Sequence, residues 1–192
     1  MRSETFARRD RRRPHVPGEP ELWMLILGDL TVFAVFFGIW AWQRAAQPAL
    51  FAAGRDTLDT TLGLTNTLIL ITSSMAVACG LDHLRTGEPQ RAARAYLAAA
   101  ALGAGFVAVK TVEYHQHLAA GQTPATGDFF MYYFVFTGIH LLHVLAGLAG
   151  LVLLSRRCRS REPSRVLFEG VGVYWHMVDV IWIVLFYLVY LA

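Results

Sequence analysis

The sequence predicts an all-α protein, a polytopic membrane bundle of five transmembrane helices with the N-terminus cytoplasmic and the C-terminus outside. Its composition is too apolar for a soluble globular domain, because only 16% of the residues are charged and the mean hydropathy is +0.42. Five apolar stretches each reach the roughly 20 residues that a helix needs to cross about 30 Å of hydrocarbon. Basic residues also cluster in alternate connections, as they do in multi-pass membrane proteins.

We predict an Arg-rich cytoplasmic tail over residues 1–21 and one transmembrane domain over residues 22–192. The predicted spans are about 22–42, 62–82, 93–114, 129–154 and 171–192. The connections between them hold too few residues to cover five apolar helices, which argues against a large soluble protein. The first span is predicted to be an uncleaved helix, because its apolar core exceeds the roughly 7–15 residues of a signal peptide.

The first span contains a single carboxylate, Asp29, with no basic residue within one turn on the same helix. A carboxylate at membrane depth is costly and indicates a functional or strongly paired group. One hypothesis is that Asp29 is a proton-related or lipid-proximal carboxylate. The alternative is that it hydrogen-bonds a neighbouring helix through Ser73 or Ser74 of the second span.

The ends of the first two spans carry boundary signals. Trp23, Trp40 and Trp42 lie near the ends of the first span and are predicted to be interfacial anchors. The connection that follows contains a Gln-Pro pair and a glycine, which indicate an irregular outer loop. Asp59 or Thr60 is the expected N-cap of the second helix.

The third span contains the only lysine of the chain, Lys110, and Glu113 follows it by three residues. Residues three apart lie on the same face of a helix, so opposite charges there offset part of each other's desolvation cost. An intrahelical pair between Lys110 and Glu113 is the preferred interpretation. The alternative is that Glu113 reaches a neighbouring helix or a partner subunit.

The last two spans each carry a polar pair one turn apart, His140 with His143 and His176 with Asp179. Their predicted depths are similar, so we expect these four side chains to form a structural polar cluster between the two helices. Histidine and carboxylate ligands could also hold a metal ion or haem. The di-iron alternative is disfavoured because the sequence lacks its Glu-x-x-His pairs.

The arginines predict the orientation. The tail and the second and fourth connections are basic, whereas the third connection, residues 121–127, has no basic residue. The arginines of the second and fourth connections are Arg85, Arg91, Arg94, Arg156, Arg157, Arg159, Arg161 and Arg165. The positive-inside rule therefore places these connections in the cytoplasm, and topology with anionic lipid explains the basic charge without nucleic-acid binding.

Together these segments resemble subunit III of the haem-copper cytochrome c oxidases. Residues 174–191 (YWHMVDVIWIVLFYLVYL) are similar to the last helix of that family, and residues 138–144 (GIHLLHV) to its penultimate helix with both histidines in place. The Glu113-Tyr114 pair and residues 64–70 (LTNTLIL) match as well. The resemblance covers all five spans in order.

Departures from the family pattern are also present. The larger members have seven spans, and the first two have no counterpart in this sequence. The family's buried carboxylate falls at Asp29, an aspartate where the large oxidases have glutamate. The short form, the PGEPELW segment at residues 17–23 and the Gly28-Asp29 pair resemble the nitric-oxide-reductase-associated branch, called NorE-like.

The resemblance implies a non-catalytic subunit in the inner membrane of a bacterium. Haem and copper would lie in the partner, the catalytic subunit I of a haem-copper oxidase, and none in this chain. The expected roles are support of proton uptake, binding of structural phospholipid and stabilisation of the catalytic subunit. Enzymatic activity is expected only within a cytochrome c oxidase-type complex.

Two alternatives remain at this point. One is an accessory subunit of a nitric oxide reductase complex. The other is a stand-alone membrane haem or metal redox protein that uses the cluster of His140, His143 and His176.

Overall fold

The computed structural model describes residues 20–158 and 164–192, and within these ranges the chain is helical with no strand. The predicted tail therefore lies outside the described residues except for its last two, as do Arg159 and Arg161. The elements are α1 (Pro20–Ala46), α2 (Pro48–Arg55), α3 (Thr60–Arg85), α4 (Pro89–Ala119), α5 (Asp128–Arg157), α6 (Arg165–Phe186) and a π-helical turn (Tyr187–Leu191). All helices except the short α2 are long and apolar enough to cross a membrane, so five candidate spans are confirmed.

Helices α3 to α6 form a closed bundle, in which each helix packs against the next and α6 returns to α3. Trp175 of α6 lies fully buried where this packing is tightest. A Cβ atom added at Gly147 of α5 would lie 2.5 Å from Cε3 of Trp175, and one added at Gly103 of α4 would lie 2.8 Å from its Cη2. The two glycines therefore make room for one indole between three helices.

Helix α1 lies at the edge of this bundle and keeps most of its surface exposed. Its buried side chains are Ile26, Phe33 and Trp40, which are seven residues apart and form one stripe along the helix. The interfacial role predicted for Trp40 is wrong, because its side chain packs against Phe51 and Phe129. Among the described residues, the buried side chains of α1 thus lie on one narrow face.

The connection after α1 is a helix, which corrects the irregular loop predicted there. Pro48 occupies the first turn of α2, a position where the missing N–H costs no hydrogen bond. Gln47 Nε2 donates to Asp128 Oδ2 at 2.8 Å and ties this connection to the start of α5. The predicted cap of α3 is confirmed, because Asp59 accepts from the backbone N–H of Thr61 and of Leu62.

Candidate functional site

Asp29 meets a histidine of another helix across the contact between α1 and α5. Its Oδ1 lies 3.5 Å from Nε2 of His143, and both side chains are only about one-fifth exposed. The ring of Phe33 packs edge-on against His143, with centroids 5.5 Å apart. Ser73 and Ser74, the alternative partners predicted for Asp29, hydrogen-bond elsewhere.

The hydrogen bond made by Nδ1 of His143 determines whether Nε2 of the same ring donates or accepts. Nδ1 lies 2.9 Å from the carbonyl oxygen of Ile139, and because a carbonyl only accepts, Nδ1 carries a proton. In the neutral ring Nε2 therefore presents a lone pair to Asp29. A lone pair that faces a carboxylate repels it, so this contact is favourable when one of the two groups carries a proton toward the other.

His140 lies one turn before His143 but in different surroundings. Its side chain is fully buried, and neither ring nitrogen has a hydrogen-bond partner among the described residues. The ring stacks on Trp182 of α6 at 5.3 Å and meets Phe106 of α4 edge-on at 5.8 Å. Within the described ranges, His140 is therefore packed like a core aromatic residue.

His176 and Asp179 of α6 face the α3 side of the bundle. Nδ1 of His176 and the hydroxyl of Ser74 form a hydrogen bond of 2.5 Å. Asp179 is buried; Ser74 is close enough to interact with its carboxyl, yet no hydrogen bond of normal geometry reaches either oxygen within the described part of the chain. The four side chains predicted as one cluster are thus distributed over separate contacts.

Lys110 and Glu113 form a buried ion pair on α4, with 3.2 Å between Nζ and Oε2 and side chains that are each about 1% exposed. Glu113 also contacts neighbouring elements. The intrahelical pair and the contact of Glu113 with another helix, which the sequence left as alternatives, therefore occur together. Tyr133 of α5 donates to Glu113 Oε1 at 2.7 Å, and the hydroxyl of Tyr190 donates to the same oxygen. Lys110 in turn donates to the hydroxyl groups of Tyr190 at 2.8 Å and of Tyr133 at 3.1 Å.

Aromatic rings enclose the Lys110 ammonium as well. Nζ lies 4.7 Å from the ring centre of Tyr133 and 5.3 Å from that of Trp182. Such cation–π contacts stabilise a desolvated cation. The sequence did not predict these tyrosines and this tryptophan as partners, because helix spacing relates residues only within one helix. One signal was available, because Tyr133 and Glu113 both lie near the span ends that flank the third connection.

The arrangement separates two kinds of polar group. Lys110 and Glu113 are buried, and three other elements contribute their hydrogen-bond or ring partners, which suits a structural role. Asp29 and His143 are partly buried at the edge of the bundle, in the contact between α1 and α5. Within the described residues, no group of three or more His, Cys, Asp or Glu side chains lies close enough together to hold a metal ion.

Comparisons with known proteins agree with one another. The family model described as Cytochrome c oxidase subunit III matches residues 22–192. The chain is 36% identical over 185 residues to a protein of Synechocystis named Cytochrome c oxidase subunit 3, covering 91% of this chain and 77% of that protein. It is 28% identical to Cytochrome bo(3) ubiquinol oxidase subunit 3 of Pseudomonas aeruginosa, over 88% of this chain and 82% of the relative.

Proposed function

Because the chain belongs to the cytochrome c oxidase subunit III family, we propose that it is the non-catalytic third subunit of a bacterial haem-copper oxidase and supports proton uptake by its catalytic partner. The relatives in that comparison carry the names of cytochrome c and ubiquinol oxidase subunits, so the nitric-oxide-reductase alternative is not favoured. Haem and copper belong to subunit I in this proposal. The complex would lie in the inner membrane.

The observation that carries the proposal is the contact between Asp29 and His143. The two side chains meet at the edge of the bundle, on α1, which has the smallest buried share of the five spans within the described residues. A site of this kind can accept a proton from the membrane surface and release it to a neighbouring group without moving the backbone. Asp29 is then a positioning and proton-holding residue, and subunit I carries out the redox chemistry.

We also propose an orientation and a lipid environment. The ends of α3 and α5 and the start of α4 carry several arginines, whereas the connection between α4 and α5 carries none, which supports a cytoplasmic location for the basic end. The residues flanking Asp29 on α1, such as Leu27 and Leu30, are exposed and apolar. Phospholipid or the partner subunit would cover this face, which makes Asp29 lipid-proximal.

The test is Asp29→Asn in the purified complex, compared with Asp82→Asn, which removes an exposed carboxylate from the end of α3. We expect Asp29→Asn to assemble but to show lower turnover or faster loss of turnover, increasingly so as pH rises, because proton supply then limits the reaction. His143→Gln should reproduce the effect, and the double variant should add little to either. Turnover and inactivation kinetics equal to those of Asp82→Asn at every pH would exclude the proton-holding role.

A further inference from the structure

We propose that a groove between α1, α2 and the π-helical turn docks a segment of a neighbouring subunit that presents an aspartate or glutamate beside an apolar side chain. The groove lies at the end of the bundle opposite the arginine-rich connections, and neither Asp29 nor His143 lines it. The inference rests on the proposed function only in requiring that the chain is one subunit of a membrane complex.

The groove is large and lined mostly by apolar side chains. It measures about 500 Å³, within the range typical of ligand-binding pockets. Ala41 and Ala45 of α1 and Ala52 of α2 line it and are exposed, so the groove is open to an approaching segment. The buried rings of Phe51 and Phe129 also line it. An occupant with an apolar side chain can therefore fill this space.

Arg44 gives the groove a positive charge. Its side chain lines the groove, is exposed and forms no ion pair within residues 20–158 and 164–192. Arg55 also lines the groove, but its Nη2 lies 3.0 Å from Oδ1 of Asp56, and its Nη1 donates to the main-chain oxygen of Ala192 at 3.3 Å. Arg44 is thus available to a carboxylate, which a guanidinium can hold with two parallel hydrogen bonds.

Trp40 supplies a second donor to the same groove. It is only 2% exposed, and its Nε1 has no hydrogen-bond partner among the described residues. Trp40 precedes Arg44 by four residues, so both lie on the same face of α1. Indole and guanidinium groups donate hydrogen bonds and accept none. The two side chains therefore favour an occupant that brings acceptor oxygens.

The composition and position of the groove favour a polypeptide over a lipid headgroup. Trp and Arg are enriched among the residues that carry most of the binding energy at protein–protein interfaces. Anionic lipid acts mainly through the cytoplasmic leaflet, whereas this groove lies at the other end in the proposed orientation. The carboxylate of a partner's acidic side chain is the anion that fits both observations.

A photo-reactive amino acid incorporated at Ala45 tests this contact in intact cells before the complex is purified. We expect ultraviolet light to join it to another subunit, at a peptide with an aspartate or glutamate within a few residues of the crosslink. The same amino acid at Ala125 is the control, because Ala125 is exposed at the same end of the bundle but does not line the groove. It should not join that peptide.

Variants of Arg44 test the charge. We expect Arg44→Gln to lower the crosslink yield about ten-fold, as for the loss of one hydrogen bond to a charged group, and Arg44→Lys to lower it less. Arg94→Gln removes the same charge from an exposed position at the opposite end and should leave the yield unchanged. Arg44→Glu should abolish the crosslink, and changing the identified partner carboxylate to lysine should restore it.

A crosslink to phospholipid alone, a crosslinked peptide without a carboxylate, or the absence of any protein crosslink would overturn the proposal. So would equal yields from the native chain and Arg44→Gln. Co-purification of the chain with the catalytic subunit is scored separately. The proposed function fails if co-purification is absent, whereas the docking groove fails if the chain co-purifies without the crosslink.

Discussion

At the scale of single residues, the ionisable side chains within the spans have two kinds of surroundings. Lys110 and Glu113 are buried with every charged atom near a partner, so that their desolvation cost is offset by hydrogen bonds and ring contacts. Asp29 and His143 have one ion-pair contact and partial exposure. The first pair is suited to hold elements together, and the proton-holding role that we propose falls on the second.

Removing one member of the closed pair should be more harmful than removing both. Lys110→Met leaves Glu113 as an uncompensated buried carboxylate, and we expect a loss of about 3–5 kcal/mol in the free energy of unfolding. Lys110→Met/Glu113→Leu removes both charges and should recover most of that loss. Thermal release of this subunit from the purified complex measures both effects, and equal losses in the single and double variants would contradict this account.

At the scale of elements, α6 is the helix that organises the bundle. It contributes Trp175 to the glycine-lined gap between α4 and α5, Trp182 to the aromatic stack with His140, and His176 to the contact with Ser74. The π-helical turn that follows α6 adds Tyr190 to the buried charge pair. Loss of packing along α6 should therefore affect several helix contacts at once.

Gly147→Ala tests this packing. The added Cβ would lie 2.5 Å from the Trp175 ring, so either the indole or the helix must shift, at a cost of about 1–3 kcal/mol. Gly105→Ala is the matched control on α4, because no heavy atom lies within 4 Å of its added Cβ. We expect the control to be neutral or slightly stabilising. Equal thermal stability of the two variants in the complex would contradict the tight fit at Trp175.

At the scale of the whole molecule, the described residues form a four-helix bundle, α3 to α6, with the long helix α1 and the short helix α2 beside it. The exposed apolar side chains of α1 include Met24, Leu25, Val32 and Val35. In a membrane such a face contacts lipid or a partner subunit without penalty, whereas in water it would drive association. We propose that the charge asymmetry between the two ends of the bundle determines how the molecule is inserted.

The orientation can be measured with single cysteines and a membrane-impermeant maleimide. With Cys79 replaced by alanine, a cysteine at Ala125 should be labelled from the outside of intact cells. A cysteine at Gln90 should react only after permeabilisation. We expect the native Cys158 to remain unlabelled, because burial raises the pKa of its thiol to about 11 and leaves little thiolate at neutral pH. The opposite labelling pattern would reverse the proposed topology.

The candidate site was only partly predictable from the sequence. Asp29, His143, Lys110 and Glu113 were all identified, because ionisable residues are conspicuous in apolar spans. Their partners could not be derived, since helical spacing says nothing about the rotation of one helix against the next. Trp40 is a second example. Its position near the end of a span predicts an interfacial anchor, and the sequence does not reveal the aromatic side chains that bury it.

The sequence by itself determined the helical class, the five spans and the residues that carry charge into the membrane. Hydrocarbon thickness and the cost of burying unpaired polar groups act on local sequence and leave little choice about these features. Only the tertiary structure decided which polar groups meet. Asp29 lies opposite His143, and Glu113 accepts hydrogen bonds from two tyrosines. The four residues predicted to form one cluster make separate contacts. All of these contacts depend on how each helix is rotated and packed in the bundle.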